Sequence, residues 1–168
     1  MIRIGKIAAT HGLQGALILT HIVGNARWLK KEEPLFLEMQ KGSFIPFFIS
    51  ASKAANDEEY VVNLEETTTV EAARKLVGKH VYVNETVLSK YAANSPLLWI
   101  GFKVNDANKG ELGVVDDMMH TSTQWIARMI INGKEVLLPL VNETIESIDL
   151  KKKTLYLDLP EGLLEVYL

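Results

Sequence analysis

Apolar and polar positions alternate through most of this chain, in short runs closed by turn residues. A period of two marks a β-strand with one buried face. Ile2 to Ala9 reads as a strand and Ala16 to Thr20 as its return, with His11-Gly12-Leu13-Gln14-Gly15 between them. Further strands are predicted at LFLEM (35–39), FIPFFIS (44–50), YVVNL (60–64) and HVYV (80–83). The turn QKGS at 40–43 makes a hairpin of the first two. Pro46 has no amide hydrogen to give, so its strand is expected at an edge or a bulge. One segment changes period. In TVEAARKLVGK, Val70, Ala73, Leu76 and Val77 recur at helical spacing. Thr68 with Glu71 predicts a capping box at its start, and Gly78 a left-handed stop at its end. A weaker helical turn is predicted over 25–32.

The stretch LSKYAANSP, at 88–96, is polar, small and proline-ended, the composition of a linker. Strand patterns resume beyond it at WIGFKV (99–104), ELGVVDDMM (111–119), QWIARMII (124–131), KEVLLPLV (134–141), TIESID (144–149) and TLYLDL (154–159). NDANKG at 105–110 is a turn. Asn132-Gly133 between two apolar runs is a strong hairpin signal. Short strands at regular spacing suggest a small barrel or sandwich. The pattern as a whole predicts a mainly β protein of two small modules, 1–88 and 97–168, with a linker over 89–96 and one short helix in the first module. Each module is near the lower size limit for a core of its own.

Composition supports folding and removes several chemistries. Of 168 residues, 48% are hydrophobic and 23% charged, so a packed core is expected and disorder is not. No apolar run approaches the length of a membrane-crossing helix, and MIRIGKIAAT lacks the apolar core of a signal peptide. There is no cysteine. Disulfides, zinc-thiolate sites and thiol catalysis are excluded, and a reducing, cytoplasmic location is expected. The net charge of −3 argues against coating nucleic acid by bulk charge. Residues 1–90 hold 11 Lys and Arg against 10 Asp and Glu, whereas residues 91–168 hold 7 against 11. The first half is therefore the better candidate for RNA, and the acidic second half for a protein.

Catalytic patterns are few. There is no G-x-S-x-G elbow and no phosphate-binding loop. His11, His21, His80 and His120 do not stand at metal-ligand spacing. Asp116, Asp117 and His120 are close in sequence and define an alternative, a small soluble hydrolase. On a strand, however, adjacent carboxylates diverge. Two readings compete for His11–Gly15: a plain hairpin connection, or an exposed loop offering His11, Leu13 and Gln14 to a partner. Lys30 and Lys31, with Arg27 and Lys6, are either a solvated face or an RNA-backbone contact. Leu97, Leu98, Trp99 and Phe102 form an apolar run that either buries or anchors a protein.

The opening IGKIAATHGLQGALIL resembles the start of the RimM family of ribosome maturation factors, whose pattern is G-x-I-x-x-x-H-G-L-x-G before an apolar strand. EAARKLVGKHVYV is similar to the end of that family's first domain. IGFKVND, GELGVVDDMM and the ending from GKEVLLPLV to LPEGLLE resemble its second domain, a PRC barrel. The resemblance implies two β-barrels, the first similar to domains of translation factors, joined by a short linker. It implies a non-enzymatic factor for late assembly of the small-subunit head and 16S rRNA processing, with no cofactor and no metal. The implied partners are precursor rRNA and a ribosomal protein of the uS-nineteen family, met by a monomer away from membranes. His11, Gly12, Leu13 and Gly15 match the signature loop and, with Lys30 and Lys31, are the expected RNA- or ribosome-facing residues. Leu97, Leu98, Trp99 and Phe102 are the expected ribosomal-protein contacts. Leu97 and Leu98 stand where the family often carries two tyrosines.

Overall fold

The computed structural model describes residues 1–29 and 33–168, and it divides into two compact units, Met1–Asn94 and Ser95–Leu168. Both are β-rich. In the first unit the strands are β1 (Ile2–His11), β2 (Ala16–His21), β3 (Leu35–Gln40), β4 (Ser43–Phe47), β5 (Ile49–Ala54), β6 (Glu59–Leu64) and β7 (His80–Val83). They form one sheet in the order β4-β3-β7-β1-β2-β6-β5. Alternation decides which face packs: Ile2, Ile4, Ile7, Leu17, Leu19, Leu35, Leu37, Val81 and Val83 are all buried. Helix α1 (Val70–Arg74) contributes buried Ala73. Helix α2 (Glu85–Tyr91) contributes Val87 and Leu88.

Among the described residues no sheet closes on itself, which corrects the expectation of two barrels. In the first unit β4 and β5 remain hydrogen-bonding edges. Pro46, opposite Phe36, lies on the β4 edge as expected. The predicted strand over 44–50 divides at Phe48, whose amide turns to the Glu66 carboxylate, and becomes β4 and β5. The helix cap also moves by one residue. Thr69, rather than Thr68, accepts from the amide of Ala72, so Glu71 lies in the first turn instead of completing a capping box. Gly78 has the expected positive φ, +85°. Part of the 89–96 stretch is helical, because Val87, Leu88 and Tyr91 fall on one helical face and the Tyr91 ring stacks on Trp28 at 6.0 Å.

The second unit has two sheets. One runs β10-β11-β12, with β10 at Asp117–His120, β11 at Trp125–Ile131 and β12 at Lys134–Leu140. The other runs β13-β14-β8-β9, with β8 at Lys103–Asp106, β9 at Gly110–Val114, β13 at Ile145–Asp149 and β14 at Thr154–Leu157. The predicted strand over 111–119 therefore splits between sheets. Val115 is buried and pairs its amide with the carbonyl of Phe102, which breaks the run. Asn132 (φ +50°) and Gly133 (φ +77°) make the expected tight turn between β11 and β12. Val104, Met118, Ala127, Met129, Val136, Leu138, Leu155 and Leu157 fill the core.

Candidate functional site

β1 does not stop where the apolar alternation does. It runs on to His11, which pairs with Ala16 across a turn of Gly12-Leu13-Gln14-Gly15. Both glycines have positive φ, +68° and +84°, but their surroundings differ. A Cβ on Gly12 would meet nothing within 4 Å, whereas one on Gly15 would lie 2.5 Å from the Thr67 carbonyl oxygen and 2.9 Å from Thr69 N. Gly15 thus seats the loop against the segment that caps α1. From that seat Leu13 projects with 83% of its surface exposed, flanked by exposed His11 and Gln14. An apolar side chain held out in this way adds nothing to the core.

The second expected patch divides. Pro96–Trp99 is a 3₁₀ helix, not the start of a strand, capped by the Ser95 hydroxyl accepting from Leu97 N at 3.3 Å. Proline at its first turn and the cap favour this geometry. Leu97 is 1% exposed and Phe102 6% exposed. They hold the segment, and half-buried Leu98 and Trp99 are what remains at the surface. Lys30 and Lys31 lie outside the described residues.

Asp116, Asp117 and His120 do not form a reactive centre. The Asp116 carboxylate pairs with Arg128, which also reaches Glu135 at 3.5 Å. Asp117 Oδ1 accepts from Met118 N. The His120 ring leans on Trp125, 4.7 Å between centroids. Asp117 and His120, three apart on β10, face opposite sides of the sheet. A cleft of about 480 Å³ near Asp106 is likewise committed to structure. The Asp106 oxygens accept from the amides of Asn108, Lys109 and Leu159, and Lys109 pairs with Glu165. Among the described residues no three His, Asp or Glu side chains are grouped to hold a metal, and no helix is long and apolar enough to cross a membrane.

One cluster escaped the sequence pattern. Arg3 pairs with Tyr82, Tyr82 with Phe36, Lys6 with His80, and Glu38 with Phe44, all antiparallel. Directly paired residues share a face, so strands far apart in sequence bring these side chains together. Phe44 and Tyr82 meet edge to face, 4.7 Å between centroids. The Tyr82 hydroxyl donates to Glu38 at 3.2 Å. The Glu38 carboxyl is held below its ordinary range, first by the Gly42 amide, then by Tyr82 and by the positive charge of His80 and Arg3. Alternating one-face burial was the only available signal.

The family model described as RimM N-terminal domain matches residues 2–88, and that described as RimM PRC barrel domain matches residues 99–163. The chain belongs to the RimM family. The ribosome maturation factor RimM of Parabacteroides distasonis is 32% identical over 168 residues, covering 98% of this chain and 95% of the relative. RimM of Flavobacterium johnsoniae is 29% identical, covering 98% and 95%. A crystal structure of RimM from Pseudomonas aeruginosa is 21% identical with a TM-score of 0.47, covering 95% of this chain and 97% of the other. Set on the RimM frame, the two matched regions fall one in each compact unit.

Proposed function

We infer that this chain is a ribosome maturation factor that works by binding and carries out no reaction of its own. The observation that carries this reading is the match of both RimM domains, in order, across nearly the whole chain. The Leu13 loop supports it from the geometry, since a rigid turn that exposes an apolar tip suits docking. In this reading His11, Gly12, Leu13 and Gly15 present the loop to the small-subunit precursor and its 16S rRNA, with Lys30 and Lys31 adding phosphate contacts. Leu98 and Trp99, supported by Leu97 and Phe102, meet a ribosomal protein of the head, of the uS-nineteen family. The acidic excess of residues 91–168 suits a basic partner there. The factor acts as a cytoplasmic monomer without a cofactor.

Co-sedimentation tests this. The purified chain should travel with small-subunit precursors at physiological salt and leave mature subunits largely free. Folded protein that stays at the top of the gradient in both cases would end the reading. Titration with the purified uS-nineteen protein then tests the partner, with Trp99→Ala expected to weaken it.

A further inference from the structure

The first unit's sheet has a second face, opposite the one that carries Ile4, Leu37 and Val81. Its make-up is unusual for a solvated sheet. Phe36, Phe44 and Tyr82 are half-buried there, and Lys6 and His80 are exposed. Arg3 stands beside Tyr82 across the β1–β7 pair. Among the described residues that the register places on this face, the acid is Glu38, engaged by the Gly42 amide and the Tyr82 hydroxyl. Among these residues positive charge therefore exceeds negative, although the 1–90 segment nets only +1.

We propose that this face, built from Arg3, Lys6, Phe36, Phe44, His80 and Tyr82, is a platform for single-stranded RNA. Aromatic side chains on a sheet stack unpaired bases, and neighbouring cations hold the phosphates. An edge-to-face pair uses the edge of one ring, so that ring's own face is not consumed by its neighbour. The spacing of the components also fits. Lys6 and Arg3 lie on β1, the third strand from β4 and the neighbour of β7, so the cations border the ring cluster on its β1 side, next to Tyr82. Charge decides between occupants: a basic ribosomal protein would be repelled by Arg3 and Lys6, and a polyanion is drawn to them. The inference rests on the reading that the chain engages precursor rRNA, and it names where an unpaired segment of that RNA would lie.

The test uses the full chain and a fluorescent single-stranded RNA of about 12 nucleotides, with a duplex of equal length and small-subunit precursor particles as further arms. The parent should prefer the single strand, and its affinity should fall as salt rises. Lys6→Glu, at an exposed position, should weaken single-strand binding about tenfold or more and flatten the salt dependence. Phe44→Leu keeps an apolar side chain at the edge and should weaken binding about fivefold or more with the salt slope unchanged. Circular dichroism and melting of both variants check that the fold is kept. Parent-like binding by both folded variants overturns the proposal. So does loss of particle binding with the single strand still bound, which would make the face a protein dock. If the parent binds the single strand in this way yet ignores precursor particles, the platform stands and the maturation reading falls. If it binds particles and both variants do so equally, the reverse holds.

Discussion

Leu13 and Leu97 carry the same side chain, and both stand in stretches expected to touch partners. One is 83% exposed and the other 1%. The difference lies in what surrounds them. Leu13 stands between two glycines of positive φ in a turn whose backbone is clamped at Gly15. Leu97 stands in a proline-initiated, serine-capped 3₁₀ turn that aims it inward. An apolar residue in a loop can thus be a contact kept ready or a pin that fixes the loop, and the local backbone decides which.

Substitutions can break this contrast in order of severity. Gly15→Ala should be the worst, because the new methyl meets a backbone oxygen at 2.5 Å and the residue keeps a left-handed φ. A loss of about 3 kcal/mol or more is expected in urea unfolding. Leu97→Ala should cost about 2–5 kcal/mol by leaving a cavity, and any loss of binding should track the loss of folded protein. Gly12→Ala has the same strain as Gly15 without the clash, so about 1 kcal/mol is expected from the same measurement. If Gly12 and Gly15 prove equally sensitive, the clamp at Thr67 is not what fixes the loop.

Acid should separate the two regions further. His21 closes β2, the strand that leaves the Leu13 loop, and it is 4% exposed. Neither ring nitrogen is hydrogen-bonded to a described residue. Burial lowers its pKa below the usual 6.5, opposed in part by the charge of Glu58. The unfolded chain therefore takes up the proton first, so stability is full above about pH 6.5 and is lost as pH falls below it. Amide exchange should show β2 opening in mild acid before β11 does, and His21→Leu should flatten that dependence. The smallest effect belongs to Leu13→Ala. Its melting temperature should barely move, within about 0.5 kcal/mol, while binding to precursor particles weakens.

Local chemistry was legible where one or two residues dictate it. Asn132-Gly133, Gly78 and the Pro46 edge could be read directly, as could most strands. The turn of His11–Gly15 was legible as a turn, but its clamp was not, because Thr67 is remote in sequence. Places where tertiary pairing overrides local pattern were missed. Phe48 breaks an apolar run by giving its amide to Glu66, and Tyr91 turns a linker-like stretch into a helix by stacking on Trp28. Closure into barrels could not be read from alternation, which fixes faces and leaves the joining of edges open. The aromatic and basic face was hidden for the same reason: Arg3, Phe44 and Tyr82 are neighbours only once β1, β7, β3 and β4 are laid side by side.

Pro46 has an effect that reaches beyond its own strand. Opposite Phe36 on an outermost strand, it removes a donor from the row that a foreign strand would need to zip onto the sheet. The other border, β5, carries Lys53 among exposed small residues, a charge that discourages the same event. Both borders of the sheet thus carry a feature that discourages edge-to-edge joining with another copy of the chain.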